Sequence, residues 1–274
     1  MQLYSGHLSK MAATLGDPIQ YELRLDELKV PLNGFIGGEI HLRFTGRIEC
    51  FGCGKKIKKS YQQGYCFPCT QTLAECDMCI LKPEQCHFAA GTCRQPDWGL
   101  SRCMKPHYVY LANSSGMKVG ITRETQIPTR WIDQGAIQAL PILKVGTRLL
   151  SGLVEVLFKK HVADKTNWRQ MLKGEVEPRD LPAFRDELFA KSQGLIAELQ
   201  AEHGEDAVTL LTDEVPVDLR FPVEQHPTKI KSHNFDKTPE ISGTLHGIKG
   251  QYLLLDSGVL NIRKFGGYHV EFEA

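Results

Sequence analysis

The sequence predicts an α+β fold assembled from consecutive parts of different character. All nine cysteines fall within residues 50–103. Apolar and polar residues alternate with the period of a β-strand before this block and again near the C-terminus, whereas helical spacing dominates in between. We therefore predict a small β lead-in, a cysteine-rich module, a mixed α/β part and a small C-terminal β part, at residues 1–48, 49–106, 107–212 and 213–274.

Composition limits the classes of function. Lys plus Arg is 33 and Asp plus Glu is 32, so any surface that binds nucleic acid has to be local. No stretch approaches the roughly 20 apolar residues of a membrane helix, and the N-terminus lacks the basic start and apolar run of a secretory signal. We expect a soluble, cytoplasmic protein without a membrane partner.

Short strands punctuated by glycine are predicted at both ends of the chain. In the lead-in, period-two alternation predicts strands at residues 21–25 and 39–44. Near the C-terminus, similar segments predict a small barrel or sandwich. Its strands lie within residues 243–256, 258–263 and 268–272.

The cysteines are predicted to be metal ligands and not disulfides. Their odd count and tight clustering, without a secretory signal, fit poorly with an extracellular disulfide framework. Two CxxC pairs, Cys50 with Cys53 and Cys66 with Cys69, are separated by twelve residues. Each pair makes a tight turn that presents two thiolates, and four thiolates close a tetrahedral shell around a structural zinc ion.

A second closed metal site is predicted from the next four cysteines, which are Cys76, Cys79, Cys86 and Cys93. Cys103, His87 and His107 are competing ligands, and Cys103 can also be a plain buried thiol. An iron–sulfur cluster is the alternative occupant of four cysteines. The sequence thus predicts one or two structural zinc ions.

A lysine-rich segment separates the first two cysteine pairs. Beside a rigid metal turn, its side chains can contact phosphates, although such a run is also typical of a solvated face. These candidate nucleic-acid contacts are Lys55, Lys56, Lys58 and Lys59.

The mixed part is predicted to begin with two strands, at residues 108–112 and 118–122, joined by a polar turn. Helical spacing follows, and Ser151 is a candidate N-cap for the second helix. The predicted helices lie at residues 128–137, 151–162 and 180–203.

Four polar residues of this part form a candidate active site. The two strands carry Tyr110 and Lys118, and the next two helices carry Arg130 and Glu155. A carboxylate among the apolar neighbours of Glu155 is costly to bury without a partner or a metal. Alternatively, Glu155 lies on the exposed stripe of its helix and pairs with Lys159 at i+4.

Residues 107–170 resemble the GIY-YIG endonuclease family. In that family a two-strand hairpin carries the two named motifs, an arginine sits on the next helix and a glutamate on a following helix. Tyr108-Val109-Tyr110 stands at the first motif, where Tyr108 replaces the glycine. Lys118-Val119-Gly120 stands at the second, where Lys118 replaces the tyrosine, as in a subgroup of the family.

The nuclease resemblance implies a role for each of the four residues. Tyr110 would help to activate a water, Arg130 would hold the scissile phosphate, and Glu155 would bind magnesium or manganese. The ammonium group of Lys118 can bind phosphate, but it cannot act as a base unless its pKa is depressed.

The whole chain, including residues 129–135 and 164–168, also resembles an uncharacterised bacterial family of zinc-containing proteins. This second resemblance implies no activity. Arg123 and Asn167 are further candidate nucleic-acid contacts, and Asn167 is equally suited to cap a helix.

The favoured function is therefore a metal-dependent nuclease that cleaves phosphodiester bonds in DNA or RNA, with zinc knuckles supporting the fold and substrate binding. One alternative is a non-catalytic, RNA-associated nucleic-acid-binding protein on a nuclease-like fold, which the replacement at Lys118 favours. Another is a zinc-knuckle adaptor for proteins, whose binding would be insensitive to salt.

Overall fold

The computed structural model describes residues 2–162 and 166–274 and confirms the α+β class. Within these residues no helix is long and apolar enough to cross a membrane. The strands are β1 (Leu3–His7), β2 (Ala12–Thr14), β3 (Gln20–Leu25), β4 (Leu28–Pro31), β5 (Glu39–Glu49), β6 (Lys56–Ile57), β7 (His107–Asn113), β8 (Met117–Arg123), β9 (Gln138–Val145), β10 (Val208–Leu210), β11 (Val217–Asp218), β12 (Glu240–Lys249), β13 (Tyr252–Leu255), β14 (Gly258–Asn261) and β15 (Tyr268–Glu273). The α-helices are α1 (Phe67–Thr72), α2 (Met78–Leu81), α3 (Pro96–Arg102), α4 (Thr129–Asp133), α5 (Arg148–Phe158), α6 (Trp168–Lys173) and α7 (Leu181–His203).

One antiparallel sheet joins the two ends of the chain. Its strand order is β1-β15-β5-β12-β13-β14, and β6 pairs with β5 outside this path. Residues 1–48 and 213–274 are predicted from the sequence as separate parts, yet β5 pairs with both β12 and β15. Strand periodicity identifies which face of a strand is buried, but it does not identify the strand's distant pairing partner. Local patterns therefore cannot predict that the two ends of the chain share one sheet.

A smaller sheet of β2, β3 and β4 packs on the same core. Tyr21 and Leu23 of β3 contribute to this core together with Leu42 of β5 and Phe272 of β15. The alternation of apolar and polar residues at 21–25 therefore corresponds to a half-buried strand, as predicted.

The second sheet carries the candidate active site. Its strand order is β10-β9-β7-β8, with β11 also paired to β9, and β7 runs antiparallel to both of its neighbours. The strands predicted at residues 108–112 and 118–122 are confirmed as β7 and β8. Helices α5 and α7 cover this sheet, and their buried residues, such as Val154 and Leu188, share its apolar core.

Helices α5 and α7 begin directly after a residue whose side chain caps the helix N-terminus. Helix α7 begins after Asp180, whose Oδ1 accepts a backbone N–H of the first turn at 2.9 Å, and it confirms the helix predicted at residues 180–203. Helix α5 begins after Thr147, whose Oγ1 accepts the N–H of Leu150 at 3.3 Å. The prediction that Ser151 is the N-cap is wrong, because Ser151 lies inside α5 and its hydroxyl donates to the carbonyl of Arg148.

Helix α4 is shorter than the helix predicted at residues 128–137. It ends at Asp133, and Gly135 follows with a φ of 66°. Glycine adopts this left-handed conformation without the steric penalty of a side chain, so the chain can turn sharply here. The turn leaves Gln134 beside the face of β7 and β8 that carries the candidate active site.

Candidate functional site

The first cysteine cluster is held between short elements. Cys50 directly follows β5, and Cys53 lies in the turn before β6. Cys66 is the N-cap of α1, and Cys69 lies within that helix. The four sulfur atoms lie within 4.8 Å of one another, and the Sγ atoms of Cys53 and Cys66 are 3.9 Å apart. Sulfur atoms of a tetrahedral zinc shell are about 3.8 Å apart, so this donor set fits a zinc ion.

Backbone N–H groups favour the thiolate form in this cluster, which is the form that binds a cation. The N–H of Cys66 donates to the Sγ of Cys50 at 3.1 Å. Burial raises the pKa of the Cys50 thiol, but backbone hydrogen bonds, first that of Cys66, outweigh this effect and lower the pKa to about 6. A Cβ added at Gly52 would lie 3.1 Å from the Sγ of Cys69, so glycine lets the turn approach the sulfur closely.

The remaining cysteines divide between two places. Burial raises the pKa of Cys76 to about 11, and the charges of Glu75 and then of Cys50 and Cys66 add to the rise, so Cys76 lies within electrostatic range of the first cluster. A separate small cavity is lined by several cysteines, and Cys76 does not line it. These cysteines are Cys79, Cys86, Cys93 and Cys103.

The lysine-rich segment lies at and around β6, between the two halves of the first cluster. Its four lysines are all exposed, and the ammonium group of Lys59 lies 5.3 Å from the ring centroid of Tyr61. Exposure fits both a phosphate contact and a solvated face. The four are Lys55, Lys56, Lys58 and Lys59.

Tyr110 and Lys118 are buried on neighbouring strands and share one acceptor. The Tyr110 hydroxyl donates to Oε1 of Gln134 at 3.1 Å, and the Lys118 ammonium donates to the same oxygen. The Lys118 ammonium also donates to Oγ1 of Thr166 at 2.7 Å. The hairpin therefore presents a hydroxyl and a cation side by side at the end of α4.

Arg130 and Glu155 complete the cluster from two different helices. Burial raises the pKa of Tyr110, the charge of Arg130 and a hydrogen bond with it lower that pKa, and the charge of Glu155 raises it. The side chain of Glu155 is 14% exposed, and its Oε2 lies 3.5 Å from Nζ of Lys159, the i+4 partner expected from the sequence. Tyr110 is thus linked to Lys118 through Gln134 and to Arg130 directly, and the charge of Glu155 acts on the same hydroxyl.

Two further residues join the cluster without having been predicted, Gln134 and Thr166, and Arg263 lies within range of the charge of Arg130. Gln134 lies at i+4 from Arg130, a helical spacing that could have indicated it. Burial lowers the pKa of Arg263, and the positive charge of Arg130 lowers it further. Arg263 belongs to the C-terminal part and donates to Gln63 at 2.8 Å, so no local pattern indicates its effect on Arg130.

Arg123 and Asn167 have other surroundings. Arg123 pairs with His107 at the open end of the β7–β8 hairpin, and burial and the charges of Arg102 and Arg148 lower its pKa. Asn167 is exposed and caps α6, since its Oδ1 accepts a backbone N–H at 3.3 Å. Residues 164 and 165 of the segment predicted at 164–168 lie outside the described residues.

Comparison with protein families identifies the family of this chain. The model of a family described as a protein of unknown function, DUF2797, matches residues 37–270, well over half of the chain. The chain belongs to the DUF2797 family. No curated protein and no solved structure matches it. The DUF2797 match includes both the first cysteine cluster and the residues around the Tyr110 hydroxyl, so any activity has to be argued from their chemistry.

Proposed function

We propose that this DUF2797 protein is a metal-dependent nuclease that cleaves phosphodiester bonds in DNA or RNA. The observation that carries the proposal is that Arg130 and Glu155, from two helices, both act on the hydroxyl of Tyr110, Arg130 by a hydrogen bond and its charge and Glu155 by its charge. Phosphodiester hydrolysis needs a group that orients water, a cation that balances phosphate charge and a carboxylate that binds a metal. These three side chains supply one of each.

The order of the elements supports the same function. The GIY-YIG family places its motifs on a hairpin, its arginine on the next helix and its glutamate on a following helix. This chain has the hairpin β7–β8, then Arg130 on α4, then Glu155 on α5. Tyr110 and Gly120, one from each motif position, lie directly opposite each other in the hairpin.

Each side chain has a distinct task in the proposed reaction. Because burial raises its pKa, Tyr110 stays protonated near neutral pH and orients the attacking water by hydrogen bonding. Arg130 holds the scissile phosphate and balances the charge that develops there. Lys118 adds a second positive charge, and its bonds to Gln134 and Thr166 fix the position of that charge.

Glu155 is the residue that would hold the catalytic cation. Magnesium commonly takes one or two protein carboxylates and completes its octahedron with waters and substrate phosphate oxygens, so a single carboxylate fits its demands. When bound, magnesium or manganese would supply Lewis-acid polarisation of the phosphate. The contact between Glu155 and Lys159, at 3.5 Å, competes with that binding.

The first cysteine cluster has a structural task in this proposal. Four cysteine ligands leave no open position on a zinc ion, so such a site stabilises the fold and does not activate water. The exposed lysines between Cys53 and Cys66 would add phosphate contacts whose strength falls as salt rises.

A second candidate is non-catalytic binding of nucleic acid on the same fold. One observation favours it: Tyr110 and Lys118 both donate to the same oxygen of Gln134. This network already engages the hydroxyl that would orient water. Catalysis therefore requires the substrate to displace Gln134, whereas binding alone does not.

The deciding experiment is a cleavage assay with magnesium or manganese on single- and double-stranded DNA and RNA. Glu155→Gln removes the metal-binding charge and keeps the side-chain size. Glu187→Gln is the matched control, because Glu187 is an exposed helical glutamate paired at i+4 with Lys191. We expect the wild type and the control to cleave, and the rate of Glu155→Gln to fall by on the order of 100-fold.

Other outcomes separate the alternatives. Salt-sensitive binding by both the wild type and Glu155→Gln, without cleavage of any substrate, would contradict the nuclease and leave the nucleic-acid-binding protein. No salt-sensitive binding to any nucleic acid would contradict both and favour the protein adaptor.

A further inference from the structure

Four cysteines outside the first cluster line one small cavity. The cavity has a volume of about 10 Å³, which is room for a single water-sized occupant. Cys79 and Cys103 are buried, and Cys86 and Cys93 are partly buried. Cysteines from four separate chain positions thus line one space, and thiolates are the preferred donors for zinc.

The other polar groups around this cavity are already engaged. His87 has its Nδ1 2.7 Å from the Thr92 hydroxyl and its Nε2 3.5 Å from Asp77. Asp77 is also paired with Arg94 at 2.6 Å, and it caps the N-terminus of α2. Asp77, Cys79 and His87 bring one ligand atom each within 4.8 Å of one another. The Asp77 carboxylate is already held by Arg94 and the His87 ring by Thr92, so we take the four thiols as the donor set.

Cys76, the first cysteine of the second set in the sequence, lies elsewhere. Its electrostatic neighbours include Cys50 and Cys66 of the first cluster. Those of Cys103 are Cys86 and Cys93, together with Arg148 and Arg123. The chain thus brings Cys103, and not Cys76, to the other three thiols.

We propose that this protein has a second structural zinc site, formed by Cys79, Cys86, Cys93 and Cys103. Four thiolates around one Zn²⁺ carry a net charge of −2, and the nearby guanidinium groups of Arg123 and Arg148 offset it. The proposal stands independently of the nuclease function.

The second site also anchors α5, the helix that carries Glu155. The backbone N–H of Arg148, in the first turn of α5, donates to the carbonyl of Cys103 at 2.9 Å. The Arg148 guanidinium donates to the carbonyl of Cys79 at 3.4 Å and to that of Ile80 at 2.7 Å. Arg148 therefore bonds to two chain segments that the proposed zinc would tie together.

The test begins with zinc and iron content per chain, measured by mass spectrometry on protein purified with and without oxygen. We expect two zinc ions in the wild type, and X-ray absorption at the zinc edge should show four sulfur neighbours per ion at about 2.3 Å. One zinc ion per chain, iron with sulfide, or nitrogen or oxygen neighbours in the zinc shell would each overturn the proposal.

Two cysteine variants assign the fourth ligand. Cys76→Ser should keep both ions in all-sulfur shells, and since eight of the nine cysteines then remain, all eight, Cys103 included, must be ligands. Cys103→Ser should lose one ion. The Cys76→Ser result decides the question even if Cys103→Ser does not fold. Loss of one ion from Cys76→Ser, with two kept by Cys103→Ser, would contradict the assignment.

Discussion

Gly120 lies directly opposite Tyr110 in the β7–β8 hairpin, and the tyrosine ring covers the place where a side chain at Gly120 would begin. A Cβ built at Gly120 would lie 2.6 Å from the Tyr110 hydroxyl oxygen and 2.7 Å from the ring carbon that bears it. The hydroxyl end of Tyr110 thus packs directly against the backbone of the neighbouring strand. The position of the hydroxyl, relative to Arg130 and Gln134, depends on the absence of a methyl group at residue 120.

Gly120→Ala should therefore displace the Tyr110 hydroxyl and reduce cleavage strongly. Overpacking of this kind costs about 1–3 kcal/mol of stability, so the variant should still fold. Gly146→Ala is the matched control, because a Cβ at Gly146 meets no atom within 4 Å. Cleavage rates and urea unfolding of both variants check the prediction, and an unchanged cleavage rate in Gly120→Ala would show that the hydroxyl position does not matter.

Loss of one thiol from the first cysteine cluster should destabilise the cysteine-rich module. Cys53 is the exposed member of its cluster, so Cys53→Ser removes a ligand with little loss of packing. We expect the variant to bind one zinc ion fewer than the wild type and to unfold at a lower temperature, because metal binding contributes directly to folding of such modules. Chelation followed by added zinc should restore the wild type and not the variant. Equal zinc content in the two proteins would count against this cluster.

Short-range patterns predicted the first cysteine cluster and the elements around Tyr110. The ligand set from Cys50 to Cys69 follows from two CxxC turns, whose geometry is local. The hairpin and the helix at residues 180–203 follow from periodicity, which reports burial within one element. In each case the information lies within a few residues of the feature.

Long-range partners were not predictable in the same way. The charge of Arg130 acts on Arg263, and that of Cys86 on Cys103, only after distant segments have packed together. The sheet shared by the two ends of the chain has the same origin, since β5 pairs with β12 and β15. Spacing along the chain made Cys76 the nearest candidate for the second metal site, whereas packing brings Cys103 to that cavity.

Lys249 should make stability depend on pH in the alkaline range. It is 3% exposed at the end of β12, and burial lowers its pKa to about 8. Between pH 8 and the ordinary lysine pKa of about 10.5, the unfolded chain retains a proton that the folded chain has lost. Stability of the wild type therefore rises with pH across this window, and the full cost of the buried charge is present at pH 7.

Lys249→Met should remove that cost. We expect the variant to be more stable than the wild type by up to about 3 kcal/mol at pH 7, with a difference that shrinks as the pH rises above 8. Lys29→Met, at an exposed position of β4, is the control and should show a small difference that does not change with pH. Urea unfolding at a series of pH values measures both, and a constant difference for Lys249→Met would refute the buried-charge explanation.

Two glycine-to-alanine substitutions with opposite expected effects on stability test how α5 packs on the cysteine-rich module. A Cβ at Gly152 would lie 2.3 Å from the backbone nitrogen of Glu84 and 2.6 Å from the carbonyl carbon of Pro83. Gly152→Ala should push α5 away from this segment, which lies between Cys79 and Cys86, and move Glu155 with it. A clash with backbone cannot be relieved by a rotamer change, so we expect a loss of stability of about 1–3 kcal/mol and weaker cleavage.

Gly194→Ala provides the opposite case in α7, because a Cβ there meets no atom within 4 Å. Alanine favours a helix interior over glycine, so this variant should gain about 0.5–1 kcal/mol and keep its cleavage rate. Thermal unfolding, zinc content and cleavage of the two variants would be compared with the wild type. If Gly152→Ala behaves like Gly194→Ala, the contact between α5 and the cysteine-rich module does not position Glu155. If Gly152→Ala alone loses both stability and cleavage, the module supports the candidate active site mechanically.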